Sequence, residues 1–229
     1  MAKIKMAHLI AEARGKIGGT VFSRNTYGSY LRAKVTPVNT RSNAQQAVRN
    51  FLTTISQTWR GLTQAQRDGW NSVAVNFSRT NIFGDQEKLT GFNLYGQLNR
   101  NLQSIGTAIL SVAPQPASTF GFTSLTMTGD VSDDAINLTF APVIPATDKV
   151  IIYATAPQSA GKKFVKSEFR QVQVLTSADL SPVNIKTAYE VVFGSFPPAG
   201  SKIFVQAKGV RIATGQAGTP IQASAIVTA

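Results

Sequence analysis

The chain has 229 residues, 43% of them hydrophobic, a mean hydropathy of -0.01 and a formal charge of +12, the composition of a globular protein with room for two modest domains. Zero cysteines exclude disulfides and thiolate metal sites, and a single histidine, His8, removes most metal-ligand and general-base chemistry. No run approaches the roughly 20 apolar residues of a membrane span, and the first residues lack an apolar core followed by a small-residue cleavage site, so neither a signal peptide nor a membrane segment is expected.

The charge is unevenly placed. Residues 1–41 hold eight Lys and Arg against Glu12 alone, a net of +7, whereas residues 123–229 have a net of only +2. A positive field concentrated in an N-terminal arm favours an acidic partner surface or nucleic acid. Within the arm, residues 1–13 predict a short helix from Ile4, Ala7 or His8, and Ala11. Arg14 to Val35 predicts a basic β-hairpin, Thr20–Arg24 and Ser29–Val35 about the turn Asn25-Thr26-Tyr27-Gly28. Tyr30, Arg32 and Lys34 alternate with Leu31, Ala33 and Val35, so the two sets point to opposite faces. An isolated hairpin is marginal in water, and its own helices or a neighbouring subunit must complete it. Arg14, Lys16, Arg24, Tyr30, Arg32 and Lys34 are the candidate partner-binding residues, because their charges are interleaved with Phe22, Tyr27 and Leu31, which a merely solubilising tail does not need.

Pro37 ends the hairpin. Ser42 or Asn43 then serves as N-cap for a helix with Ala44, Val48, Phe51, Leu52, Ile55, Trp59 and Leu62 on one apolar face, stopped by Gly61. Thr63-Gln64-Ala65-Gln66 is a capping box for a second helix facing inward with Trp70, Val73, Ala74 and Phe77. Thr90 caps a third, with Phe92, Tyr95, Leu98, Leu102 and Ile105 inward and Gly106 at its end. Residues 42–106 thus predict a small three-helix unit, marginal alone at this size.

Residues 107–122, uncharged and rich in proline and small residues, predict a linker. Residues 123–229 predict seven strands: Ser124–Thr128, Ala135–Phe140, Lys149–Thr155, Glu168–Leu175, Ala188–Phe193, Lys202–Val210 and Ile221–Thr228. That spacing argues for an antiparallel β-sandwich, which with Val150-Ile151-Ile152-Tyr153 in its third strand and no cysteine pair resembles the fibronectin type III or general immunoglobulin-like class. The predicted fold class is therefore α+β and multidomain: basic arm with hairpin (1–41), three-helix unit (42–106), linker (107–122) and sandwich (123–229).

Catalytic and ligand motifs fail on inspection. Gly15, Gly18 and Gly19 around Lys16, and Ala156 to Lys163, lack the spacing and the Ser or Thr of a phosphate loop and predict turns. Asp130, Asp133 and Asp134 share one turn without a further carboxylate placed for Ca²⁺. With no serine–histidine–aspartate set available, the expectation is a non-enzyme with no catalytic residue, no cofactor and no metal.

The runs Gly15 to Arg32, Asn43 to Arg49, Trp59 to Trp70 and Gly91 to Leu102, taken in that order, resemble a poorly characterised group of virion structural proteins from tailed bacteriophages and prophages. The resemblance covers about the first 105 residues and implies a virion component made in the host cytoplasm. Its implied partners are capsid, portal or tail subunits, in a homo-oligomeric ring or array. Two alternatives stand beside it: a nucleic-acid-binding protein using the basic hairpin with Tyr27 and Tyr30, and a host-surface adhesin using the sandwich.

Overall fold

A computed structural model describes residues 2–3, 13–39, 41–77, 79–81 and 83–229. The fold is α+β, with four α-helices and antiparallel sheets among the described residues. The chain divides into two compact units, Met1–Thr54 with Ser78–Glu87, and Ile55–Phe77 with Lys88–Ala229.

In the first unit, β1 (Ala2–Lys3), β2 (Gly15–Ile17), β3 (Thr20–Asn25) and β4 (Gly28–Ala33) form a sheet in the order β1-β4-β3-β2. The expected hairpin is its centre. The Tyr27 N–H donates to Asn25 Oδ1 at 2.9 Å across the turn, and Gly28 takes the positive φ of 107° needed there. The glycine-rich stretch around Lys16 is a turn and an edge strand, with Gly18 at φ 57° reversing the chain between β2 and β3. Of the helix expected over residues 1–13, positions 2–3 are strand instead, and residues 4–12, including His8, lie outside the described residues. Pairing to β4 overrides the weak local helix signal there. A second small hairpin, β5 (Arg79–Thr80) with β6 (Gln86–Glu87), is closed by Asn81, whose Oδ1 accepts from the N–H groups of Phe83 and Asp85 at 2.8 and 3.0 Å.

α1 (Asn43–Gly61) begins in the first unit and ends in the second. Its expected apolar stripe splits along the way: Phe51, Ile55 and Leu62 are buried, whereas Val48 and Leu52 remain 44% and 55% exposed. In the second unit, α2 (Gln64–Val73) starts from the capping box in full, Gln66 N–H donating to Thr63 Oγ1 and Thr63 N–H to Gln66 Oε1 at 3.3 and 2.9 Å. Its last turn tightens to a 3₁₀ helix, Ala74–Phe77. α3 (Gly91–Ser104) is capped by Thr90, which accepts from the Asn93 N–H at 3.3 Å. Its inward face uses Leu94 with Tyr95, Leu98 and Leu102, while the expected Phe92 is exposed and covers Trp59 edge-on at 5.6 Å. Trp59 and Trp70 both pack on Tyr95, and the Tyr95 hydroxyl meets Thr58 Oγ1 at 2.9 Å.

Two antiparallel sheets follow. One has the order β10-β9-β12-β13, from β9 (Asp148–Ala154), β10 (Arg170–Leu175), β12 (Lys202–Arg211) and β13 (Ile221–Ile226); the other has the order β11-β8-β7, from β7 (Ser124–Asp130), β8 (Ala135–Ala141) and β11 (Val183–Asn184). Their facing residues share one core, including Met127, Ile136 and Leu138 from the second and Val150, Ile152, Ile203 and Val205 from the first. The strand expected at Ala188–Phe193 is a helix, α4 (Lys186–Phe193), ended by Gly194 at φ 89°. Tyr189 and Phe193, four residues apart, pack ring on ring at 4.5 Å and turn toward the core, a spacing that serves a helix and not a strand. The fifth strand is instead the two-residue β11, too short to leave a pattern.

The four-stranded sheet is covered on both faces. Val210 on β12 and Ile151 on β9 pack against Leu102 and Ile105 of α3 and its C-cap, on the side away from the inter-sheet core. That is why β9 reads as a continuous apolar run. Two sheet side chains also satisfy the orphan carbonyls at the C-terminal end of α3: Lys149 Nζ donates to Ile105 O at 3.1 Å and Gln171 Nε2 to Ser104 O at 2.9 Å. Residues 107–122 are anchored along this junction. Trp70 Nε1 donates to Ser111 O at 3.0 Å, buried Asn99 accepts from the Leu110 N–H at 2.8 Å, and the Phe120 carbonyl lies where a Cβ on Gly209 or Gly218 would come within 2.4 Å.

Candidate interaction surface

Register fixes which side chains of the N-terminal sheet share a face. Lys16 stands opposite Val21, which stands opposite Arg32, and Ser23 opposite Tyr30. These five form one face, with Lys16 and Arg32 about 10 Å apart across the intervening strand. Ile17, Thr20, Phe22, Arg24, Leu31 and Ala33 form the other. Lys16, Tyr30 and Arg32 are therefore brought together, and Arg24 is set apart on the apolar face. Arg14 and Lys34 flank the strand ends, Lys34 held through its backbone N–H, which donates to Gly19 O at 2.8 Å.

Among residues 13–39 none is buried; Phe22, Tyr30 and Leu31 are half-buried, and Ile17 is 72% exposed. Apolar exposure continues through Val35 and Val38 to Val48 and Leu52 on α1. The four-stranded sheet thus buries no described side chain, with one face cationic and the other largely apolar.

The acidic turn of the second unit is occupied by its own hydrogen bonds. The Ser132 hydroxyl donates to Asp130 Oδ1 at 2.7 Å and the Thr228 hydroxyl to Oδ2 at 3.0 Å, which hold the Asp130 carboxyl below its ordinary value. Asp134 pairs with Lys186. No cluster of three potential metal-binding side chains stands among the described residues, and no helix there is long and apolar enough to cross a membrane.

Sequence reading missed one group in the second unit. Lys208, half-buried on β12, opens into a cavity of about 330 Å³ beside α3. Its signal was a lone lysine inside Phe204 to Val210, a run otherwise without charge in a strand buried on both faces.

Comparison of the chain with protein-family models, with curated proteins and with solved structures finds no match.

Proposed function

We propose that the chain is a non-enzymatic structural component of a tailed-phage virion that binds neighbouring subunits through its N-terminal sheet. The observation that carries this reading is a hydrogen-bonded four-stranded sheet with no buried side chain among residues 13–39, cationic on one face and apolar on the other. Each large apolar side chain brought from exposure to full burial contributes about 1.5–3 kcal/mol, so covering Ile17, Phe22 and Leu31 supplies a substantial association energy even though two begin half-buried. Lys16, Arg32 and Lys34 steer the sheet to an acidic surface, and Tyr30 beside them is the residue type that anchors interfaces. Capsid, portal and tail subunits are the partners this reading names, in a ring or array.

The second unit is read as the projecting body, an immunoglobulin-like or fibronectin type III-like sandwich. Its strand order supports that reading: the first, second and fifth strands of the body make one sheet, and the fourth, third, sixth and seventh make the other. The test is incorporation. Full-length chain and a Lys16→Glu, Arg32→Glu, Lys34→Glu variant are supplied to assembling particles, alongside a chain lacking residues 1–41. Both altered chains are expected to be absent from purified particles, with the second unit still folded by circular dichroism. Normal incorporation of the truncated chain sinks the proposal.

One observation favours a second reading, nucleic-acid binding. Tyr30 shares one face of the sheet with Arg32 and Lys16, an aromatic beside cations suited to stacking bases above a neutralised backbone. Affinity for duplex DNA would then fall with salt at a log-log slope of about 0.9 per phosphate contacted. Absence of affinity, or affinity indifferent to salt, removes it.

A further inference from the structure

The outer face of the β10-β9-β12-β13 sheet holds a charge with no counterpart among the described residues. Lys208 stands opposite Ile151 in the β9–β12 register, two residues before Val210, which is fully buried against Leu102 and Ile105. Its ammonium group has no hydrogen-bond or ion-pair partner among the described residues, and no Asp or Glu lines the cavity into which it opens. Burial alone pulls the Lys208 amine below its ordinary pKa. A half-buried cation without an anion is a standing cost that a ligand carrying the opposite charge removes.

The remaining walls say what kind of ligand. Gln216 is fixed by its Oε1, which accepts from the Ala117 N–H at 2.7 Å, so its Nε2 is left as a donor without a partner among the described residues. Asn101 is fixed likewise, its Nδ2 donating to Gly215 O at 2.8 Å. Phe77 and Leu98 make the apolar side. One ammonium with an amide donor suits a carboxylate. A phosphate is better served by paired arginines or a helix N-terminus, neither of which lines this cavity. The apolar wall suits a short hydrocarbon.

We propose that this cavity binds a short-chain organic carboxylate, its head group on Lys208 Nζ and Gln216 Nε2 and its hydrocarbon part against Phe77 and Leu98. The inference does not depend on the assembly role of the N-terminal sheet.

The full chain, isotopically labelled, is titrated separately with butyrate and with inorganic phosphate while the side-chain amide signals of Asn101 and Gln216 and the ε-methylene signal of Lys208 are followed by NMR. Butyrate is expected to shift all three saturably with an affinity on the order of millimolar, and phosphate to give no saturable shift. Lys208→Met, which keeps length and apolar bulk, is expected to weaken butyrate about tenfold or more. A second measurement needs no variant: butyrate should slow acetylation of Lys208 by acetic anhydride relative to Lys202 in the same chain. No saturable butyrate shift, equal affinity in the Lys208→Met chain, tighter binding of phosphate, or unprotected Lys208 would each overturn the proposal.

Discussion

Replacing Leu102 by alanine tests whether the helices and the β-sheets of the second unit fold as one body. Leu102 is fully buried in a cluster with Ile105, Ile151 and Val210, so its side chain joins α3 to the outer face of the sheet. Truncation removes three carbons worth about 0.8 kcal/mol each in transfer, and the unfilled cavity raises the total to about 3–4 kcal/mol, inside the range for buried leucines. At about 2–4 °C per kcal/mol for a body of this size, the midpoint should fall by at least about 6 °C. The assay is thermal and urea unfolding followed by two probes: fluorescence of Trp59 and Trp70, which report the helices, and near-ultraviolet dichroism, to which Tyr153 and Tyr189 of the β-sheet region contribute. Both transitions should move together with the urea slope unchanged. If only the tryptophan signal shifts, residues 107–122 behave as a free tether and the joint described by Lys149, Gln171 and the Leu102 cluster carries no cooperativity.

Three further outcomes follow from particular contacts. Thr63→Ala removes the capping box of α2 and should cost about 1 kcal/mol in urea unfolding, while Thr63→Ser should restore most of it. Tyr189 is buried with its hydroxyl donating to Thr155 O at 3.0 Å, and burial pushes its pKa up from 10.0 to about 12. Because the folded value lies above the unfolded one, this stabilisation is complete below pH 10.0 and is lost as pH rises towards 12. Ultraviolet titration should show Tyr189 ionising late, and Tyr189→Phe should flatten the loss of stability across that window. Gly215 sits at φ 71° with the Leu98 carbonyl 2.4 Å from where a Cβ would stand. Gly215→Ala should therefore destabilise the second unit by at least about 1 kcal/mol, measured by the urea midpoint.

Helices with caps and a full stripe could be read from the residues alone. Thr63, Thr90 and the spacing of Ile55, Trp70, Tyr95 and Leu98 place three helices because those signals are local. Two of the failures share one cause, which is that tertiary pairing decided what local pattern could not. Gly15–Ile17 and Val183–Asn184 are strands only because β3 and β8 lie beside them. Ala188–Phe193 has the β-branched and aromatic content of a strand, yet its four-residue spacing of Tyr189 and Phe193 was the better guide. Residues 107–122 look unstructured because backbone groups, not side chains, tie them down at Leu110 and Ser111. Of the candidate contact residues, alternation alone grouped Tyr30 with Arg32 and Lys34; the β2–β3 register was needed to add Lys16, and the β3–β4 register to set Arg24 on the opposite face.

Hydrogen exchange of residues 15–33, read by mass spectrometry in the free chain and in assembled particles, tests the binding role of the N-terminal sheet most directly. The account predicts fast exchange when free, since no described side chain there is buried, and strong protection after assembly. Equal exchange in both states, or a free sheet already as slow as β9 and β12, would contradict it.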